Sequence, residues 1–183
     1  MTQKRIFIIT GEVKAGKTQL VSNVISALRK LKVKVTGVYS PARFENNVKT
    51  GIYLVDISNE KKKLLANYQP GWDPENSKRE WKMDPEVLQW GHEIIRESVP
   101  TSVLIIDELG FLEFEKNQGL IFAFDILNDG AYKMAIVVVR IGLLKKAITI
   151  WQSAKVIFMN EPSQCKLHTD FLVDQILDTN IKW

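Results

Sequence analysis

The sequence predicts an α/β fold in which a mostly parallel sheet is flanked on both faces by helices. Three short and almost uniformly apolar runs, at residues 5–10, 102–106 and 134–139, have the composition of strands buried on both faces. Segments whose apolar residues recur at helical spacing alternate with these runs. This alternation is typical of a parallel sheet covered by helices, and 183 residues suit a single domain, residues 1–183.

The helices are predicted from apolar spacing and from the residues at their ends. One helix begins at Lys17 and ends in the basic pair Arg29 and Lys30, which suits the negative end of a helix dipole. Asp84 is a suitable N-cap for another helix, which has a proline at its first position. The remaining predicted elements are helices at 85–98, 116–128, 143–152 and 163–177 and a strand at 155–159.

Residues 33–83 follow a different pattern, with several strand candidates and little helical spacing. These strands are predicted at 33–39, 50–57, 63–67 and 80–83. A polar loop with Pro41, Asn46 and Asn47 separates the first two, while the lysines at 61–63 indicate a solvated turn and residues 69–80 a loop. Adjacent short strands predict an antiparallel, strand-rich segment beside the parallel sheet.

Composition and charge limit the classes of function. The net charge is +4, but residues 1–83 hold 16 Lys and Arg against 7 Asp and Glu, so that half is basic. A basic half suits an anionic ligand, and nucleic acid is the weaker possibility because no basic run is interleaved with aromatic residues. No apolar stretch reaches the ~18 residues that span a bilayer. The single cysteine, Cys165, fits a reducing cytoplasm.

The turn after the first strand matches a phosphate-binding loop. The residues Gly11, Glu12, Val13, Lys14, Ala15, Gly16, Lys17 and Thr18 fit G-x-x-x-x-G-K-[ST] at every fixed position. The glycines allow backbone N–H groups to point at phosphates, and the next helix directs its positive end to the same anion. Lys17 is expected on the β- and γ-phosphates, and the Thr18 hydroxyl on Mg²⁺. The sequence therefore predicts a three-layer P-loop fold that binds a magnesium nucleoside triphosphate.

Two acidic residues, Asp107 and Glu108, directly follow the buried run at 102–106. Because ligands bind beyond the carboxyl ends of parallel strands, Asp107 is expected at the same sheet edge as the P-loop. Asp107 then supports the metal, and Glu108 is placed to act as the general base for an attacking water. The alternative for Glu108 is a helix cap or a surface ion pair. Glu113 and Glu115 are expected to be solvated.

Arg140 ends the apolar run at 134–139 and is expected at the same sheet edge as Asp107. In that position it is a candidate for stabilising charge in the transition state, as an arginine finger acting in cis does. The alternative is a solvated arginine at a strand end, and the sequence leaves both open.

These motifs resemble those of a known family, the small cancer-related or thermophilic-type nucleoside-triphosphatases. The shared features are the P-loop, the stretch Gly37-Val-Tyr39-Ser-Pro-Ala-Arg43 with Thr50-Gly51-Ile-Tyr53, and Ile106-Asp107-Glu108-Leu-Gly110-Phe-Leu-Glu113. The last of these resembles the family segment Ile-Asp-Glu-Ile-Gly-x-Met-Glu and is the most specific of the three. The resemblance spans nearly the whole chain.

The resemblance implies Mg²⁺-dependent hydrolysis of ATP, GTP, CTP and UTP to the nucleoside diphosphate and phosphate, with a loose preference for the base. By position it assigns phosphate and metal binding to Lys17 and Thr18. It likewise assigns support of the metal to Asp107 and the role of catalytic base to Glu108.

The sequence also departs from the family pattern. Gln19 stands where the family often has a second threonine. Arg43 lies about one place early against the family's loop arginine, which weakens its case as a catalytic finger. The match is poor around Asn160 and Glu161, so the preference for a base stays open.

Two other functions remain open from the sequence. A nucleotide or small-molecule kinase shares the core, but residues 41–100 hold few arginines for a lid: Arg43, Arg79 and Arg96. A nucleotide-switched binding module, in which hydrolysis times the release of a partner, is compatible with the basic half. Phosphate release without an added acceptor distinguishes the hydrolase, whereas strong stimulation by RNA, DNA or a protein indicates the module.

Overall fold

The structure is a computed structural model that describes residues 5–68 and 81–178. Its strands are β1 (Arg5–Gly11), β2 (Val35–Tyr39), β3 (Ala42–Glu45), β4 (Val48–Asp56), β5 (Lys62–Tyr68), β6 (Trp81–Met83), β7 (Thr101–Leu109), β8 (Tyr132–Val139) and β9 (Lys155–Met159). Its helices are α1 (Lys17–Lys30), α2 (Pro85–Glu97), α3 (Phe111–Lys116), α4 (Phe122–Asp129), α5 (Leu144–Ile150) and α6 (Cys165–Leu177). Among these described helices, none has both the length and the apolar character to cross a membrane.

The parallel part of the sheet has the order β2-β7-β8-β1-β9. Every neighbouring pair in it is parallel. Strand β8 therefore lies between β1, which leads into the P-loop, and β7, which carries Asp107. Since parallel strands end at one edge, the residues that follow β1, β7 and β8 meet there. The predicted parallel sheet between helices is confirmed.

Helices cover both faces of this sheet and form two apolar cores. On one face α1 and α6 pack with Phe7 and Ile105. On the other face α2, α4 and α5 pack with Ile8 and Leu104. Successive residues of β1 and β7 thus enter opposite cores, because side chains alternate along a strand. That alternation between two cores explains why these strands are apolar throughout.

The strand-rich segment is antiparallel, as predicted: β4 pairs with β2, β3 and β5, and β5 pairs with β6. The prediction of a polar loop between 39 and 50 is wrong for Ala42–Glu45, which forms β3. This strand turns into β4 through Asn46 and Asn47, whose φ angles of 48° and 63° suit a two-residue hairpin turn. The strand was missed because no residue of β3 is buried, which leaves no apolar alternation to read.

The lysines at 61–63 lie differently from the prediction. The turn is at 57–59, and β5 begins at Lys62. The Nζ of Lys62 lies 4.9 Å from the ring centroid of Tyr53, and that of Lys63 lies 4.8 Å from the ring of Trp90. The turn was therefore a wrong prediction for these two lysines, whereas their expected exposure to solvent is confirmed. The loop predicted at 69–80 lies outside the described residues.

One predicted helix, at 116–128, is instead two shorter helices, α3 and α4. Between them Asn117 and Gly119 have φ angles of 52° and 69°, which cannot continue a right-handed helix. The other helices are confirmed, with ends that shift by a few residues. Asp84 caps α2 as predicted, since its carboxylate accepts the N–H groups of Glu86 and Val87.

Candidate active site

The P-loop connects β1 to α1, and its two fixed glycines are required by close packing as well as by their backbone angles. Gly11 has a φ of 145°, and a Cβ there would lie 2.0 Å from the carbonyl oxygen of Met159. Gly16 has a φ of 90°, and its Cβ would lie 3.1 Å from the Cα of Pro162. The end of β9 and the turn after it therefore press against the loop. The motif predicts the glycines from the backbone angles of the loop. Their close packing against Met159 and Pro162 is seen only in the tertiary structure.

The side chain of Lys17 lies inside the curve of the P-loop. Its ammonium group donates to the carbonyl oxygens of Gly11 (2.8 Å) and Glu12 (2.7 Å). Ala15 is buried beneath the loop, whereas Val13 is exposed at its tip. Because α1 begins at Lys17, the positive end of its dipole and the ammonium charge lie together, which favours an anion at this place.

Asp107 is buried at the carboxyl end of β7 and is in contact with Thr18. The Ser40 N–H donates to Oδ2 of Asp107 at 3.4 Å. The pKa of Asp107 is raised to about 7, chiefly by burial and also by the negative charge of Glu108, while hydrogen bonds from Ser40 and Thr18 and the charge of Lys17 partly offset these two effects. The structure therefore brings together the two residues that the sequence predicts as metal ligands.

Glu108 and Arg140 form an ion pair at the same sheet edge. The Nε–H of Arg140 donates to Oε1 of Glu108 at 2.6 Å. The pairing of β7 with β8 shifts register between Ile106 and Leu109, and such bulges re-aim side chains at the end of a strand. Gly110 leaves room for the arginine, because a Cβ there would lie 3.2 Å from Nε of Arg140. Glu108 and Arg140, which the sequence predicts to be catalytic, are thus ion-pair partners.

Glu113 is buried, so the prediction that it is solvated is wrong. Its Oε2 accepts the N–H of Gly110 (2.7 Å), and its Oε1 accepts the N–H of Leu120 (2.8 Å). Gly119 packs directly against the carboxylate, since a Cβ there would lie 1.9 Å from Oε1. The side chain therefore fixes the turn that follows Glu108. The bond from the Gly110 N–H to Glu113 is one half of a capping box. Because the N-cap is a glycine, the Ser or Thr that marks this motif in a sequence is absent, and no sequence signal identifies Glu113.

The P-loop, Glu108 and Arg140 line a cleft of about 870 Å³. Its lining consists of the P-loop without Ala15, together with Gln19, Lys49, Glu108, Phe111, Glu115, Arg140 and residues 141–143. Glu115 lies at the surface as predicted, where it pairs with Lys146. Within the described part of the chain, the lining does not include Arg43, which pairs with Glu45 on β3. Sequence reasoning missed Lys49, for which no motif gives a signal.

The arrangement of charges suits a polyphosphate. Lys14, Lys17, Lys49 and Arg140 all line the cleft, and the first helix directs its positive end to it. Facing them, Glu108 supplies a partly exposed carboxylate that can accept a proton from a bound water. The cleft thus places four cationic side chains and a carboxylate on one lining.

The family model described as NTPase matches residues 6–158. The chain belongs to this family. It is similar to the nucleoside-triphosphatase THEP1 of Caldivirga maquilingensis, at 24% identity over 93% of this chain and 91% of that protein. The family predicted from the P-loop and the Asp107–Glu108 segment is therefore confirmed, and with it a hydrolase of nucleoside triphosphates.

Two solved structures share the fold. The solution structure of a human cancer-related nucleoside triphosphatase has a TM-score of 0.72 and 21% identity, with 97% of this chain and all of that chain covered. The crystal structure of THEP1 from the hyperthermophile Aquifex aeolicus has a TM-score of 0.66 and 19% identity, with 93% and 98% covered. At these identities the likeness concerns the fold alone, and it confirms the predicted P-loop architecture.

Proposed function

We propose that this protein catalyses the Mg²⁺-dependent hydrolysis of nucleoside 5′-triphosphates to the diphosphate and phosphate, with Glu108 as the general base. The observation that carries the proposal is the position of Glu108 on the wall of the P-loop cleft, next to Asp107 and held by Arg140 at 2.6 Å. A kinase must exclude water from the γ-phosphate, whereas a hydrolase needs a base there that orients and deprotonates an attacking water.

Phosphate binding is assigned to the loop from Gly11 to Thr18. Lys17 provides the point charge for the β- and γ-phosphates, and the loop N–H groups with the start of α1 provide the remaining donors. The ammonium group now donates to the Gly11 and Glu12 carbonyls. A phosphate oxygen competes for the same donor with a full negative charge, which makes the stronger hydrogen bond.

The Thr18 hydroxyl and the Asp107 carboxylate fit a magnesium ion, because they are neighbouring oxygen ligands and Mg²⁺ prefers such hard donors. When bound, Mg²⁺ neutralises charge on the β- and γ-phosphates. Asp107 contributes by its buried position, where the Ser40 N–H holds the carboxylate in place. Thr18 contributes as the last residue of the P-loop motif.

Arg140 is proposed to have two tasks. Its Nε–H orients the carboxylate of Glu108, and that contact uses only one of the five guanidinium donors. The side chain is 59% exposed, so the rest of the guanidinium is accessible to negative charge on the transferred phosphoryl group. The hydrogen bond to Glu108 holds this arginine in the cleft, and an arginine that was only solvated at a strand end would have no such bond.

The range of substrates follows the family resemblance. We propose that ATP, GTP, CTP and UTP are hydrolysed within roughly tenfold of one another, about 1.4 kcal/mol of discrimination. The groups assigned above to binding act on the phosphates and the metal, which every nucleoside triphosphate shares, and this supports broad use. We further propose a cytoplasmic location, because Cys165 is the single cysteine of the chain and suits a reducing compartment.

The test is the variant Glu108→Gln, assayed for nucleotide Kd and for single-turnover phosphate release. Its amide oxygen still accepts from Arg140, but the side chain cannot take a proton. We expect binding to persist and hydrolysis to fall by about 10²–10⁴-fold.

The matched control is Glu115→Gln, which removes another carboxylate from the same cleft, one that pairs with Lys146. Its hydrolysis rate should stay within about threefold of the wild type, since ion pairs at the surface contribute little. If Glu108→Gln binds nucleotide normally and keeps more than about a third of the activity, Glu108 is not the base.

A further inference from the structure

We propose that Lys49, on the β3–β4 hairpin, binds the terminal phosphate of the nucleotide and sets the preference of the site for triphosphates over diphosphates. The inference rests on the proposed function of the same cleft. Neither the P-loop motif nor the Asp107–Glu108 segment includes this residue. It comes from the antiparallel segment of the chain, 31 residues beyond Thr18.

The hairpin begins at the sheet edge that carries the active-site groups. Strand β2 ends at Tyr39, and the next residue, Ser40, donates its N–H to the carboxylate of Asp107. The chain then forms β3, turns at Asn46 and Asn47, and returns in β4. This path brings the hairpin to the Asp107 side of the cleft.

On the returning strand, Lys49 lies in register with Phe44 and lines the cleft with Lys17 and Glu108. Its side chain is half-buried, while the preceding residue, Val48, is exposed. Of the first three residues of β4, Lys49 lines the cleft, whereas its neighbours Val48 and Thr50, which point to the other face of the strand, do not. Arg43, on the partner strand, pairs with Glu45 and lies outside the lining.

The position favours the γ-phosphate over the rest of the nucleotide. A general base such as Glu108 must lie beside the γ-phosphate to hold the attacking water. Lys49 lines the same cleft and comes from the side of Asp107, where a metal between the β- and γ-phosphates is expected. A carboxylate and a γ-phosphate repel each other, and a lysine at this place offsets that repulsion with a charge-assisted hydrogen bond. A diphosphate has no group to make the contact.

The experiment compares Lys49→Met, Lys49→Arg and Arg43→Met with the wild type. Calorimetry in the presence of Mg²⁺ measures the Kd for adenosine 5′-(β,γ-imido)triphosphate and for ADP. We expect Lys49→Met to weaken binding of the triphosphate analogue by about tenfold or more and of ADP by less than about threefold, as expected for a lost charge-assisted hydrogen bond. Lys49→Arg should recover most of the triphosphate affinity.

Arg43→Met is the matched control, because it removes a cation from the same hairpin without changing the cleft. Both of its Kd values should stay within about threefold of the wild type. A thermal melt of each variant tests whether the protein remains folded. Equal losses for triphosphate and diphosphate, or no loss for either, in a folded Lys49→Met would overturn the proposal.

Failure of this inference is distinguishable from failure of the proposed function. If Glu108→Gln abolishes hydrolysis while Lys49→Met leaves the ratio of the two Kd values unchanged, the hydrolase stands and the role of Lys49 is wrong. If the wild type releases no phosphate, the proposed function fails, whereas the two Kd values still decide whether Lys49 recognises the terminal phosphate.

Discussion

The two walls of the cleft are built on different principles. On one wall, the P-loop, Glu108 and Arg140 lie at the carboxyl ends of three parallel strands that share one edge of the sheet. On the other wall, Lys49 reaches the cleft from an antiparallel hairpin. The residues of the first wall are brought together by the order of the strands in the sheet. The residue of the second wall is brought to the cleft by the register of the hairpin.

This difference determines how well each wall can be predicted. Parallel strands bring their carboxyl ends together whatever their exact register, so a chemical motif after each strand is enough to place it. In a hairpin a shift of one residue turns every side chain to the opposite face. The register here depends on a two-residue turn at Asn46 and Asn47 and on an irregularity between Arg43 and Phe44. The polar sequence of the hairpin reveals neither.

Lys17→Ala should have the largest effect and tests the ranking of the two walls. If the parallel edge carries the main phosphate site, this variant must lose more triphosphate affinity than Lys49→Met. We expect a loss of at least about 100-fold, roughly 2.8 kcal/mol, because the loop loses its point charge on the β- and γ-phosphates. Lys30→Ala, at the other end of α1, serves as the control. Calorimetry that finds unchanged affinity for Lys17→Ala would mean that the P-loop is not the site.

Asp107→Asn should have a smaller effect on turnover, seen as an increase of about tenfold or more in the Mg²⁺ concentration required. Full activity of the wild type in excess chelator would contradict the role of the metal.

Although Asp107→Asn should impair turnover, it should not lower the stability of the metal-free protein at high pH. Burial raises the pKa of Asp107 from 3.8 to about 7 in the folded protein, so the stability that this carboxyl supplies below pH 4 is lost as the pH rises through 7.

At pH 8 without metal, the wild type therefore holds a buried carboxylate that burial disfavours. We expect Asp107→Asn to melt at the same temperature or higher than the wild type in chelator at pH 8. The difference should shrink as the pH falls toward 4, because the folded protein then keeps the proton, and should level off below the ordinary pKa of 3.8, where the carboxyl is protonated in both states. A variant that melts well below the wild type at pH 8 would show that the hydrogen bonds of Asp107 with Ser40 and Thr18 outweigh its burial.

Glu113→Gln should have the smallest effect on turnover and tests the support behind the parallel wall. The amide has one acceptor oxygen, so either Gly110 or Leu120 loses the partner for its buried N–H. An unsatisfied buried donor costs about 1–3 kcal/mol in the free energy of unfolding. We expect kcat to fall by several-fold, while nucleotide Kd stays unchanged, because the turn that holds Glu108 loosens. The control is Glu115→Gln, and a kcat equal to that of the wild type would limit Glu113 to a structural role.

The sequence predicted the parallel sheet well because each strand there enters two cores and is apolar throughout. It predicted the P-loop from its motif and the Asp107–Glu108 pair from the buried run before it. It failed where a polar side chain changes the backbone path. Glu113 was expected in solvent, and the helix was expected to run through 116–128, yet this buried carboxylate bonds to Leu120 in the connection that separates α3 from α4. Such a bond depends on what surrounds the residue, which periodicity does not describe.

By itself, the sequence determined the alternation of buried strands and helices, the P-loop motif and the family. Each of these is a pattern within short continuous segments, and it depends on the residue types there and not on distant contacts. Only the tertiary structure decided that Arg140 pairs with Glu108, that β9 presses on Gly11 and that Lys49 instead of Arg43 lines the cleft. These facts join residues that are far apart in the chain. They follow from strand order, bulges and hairpin register, which arise from packing of the whole sheet and not from any single stretch of it.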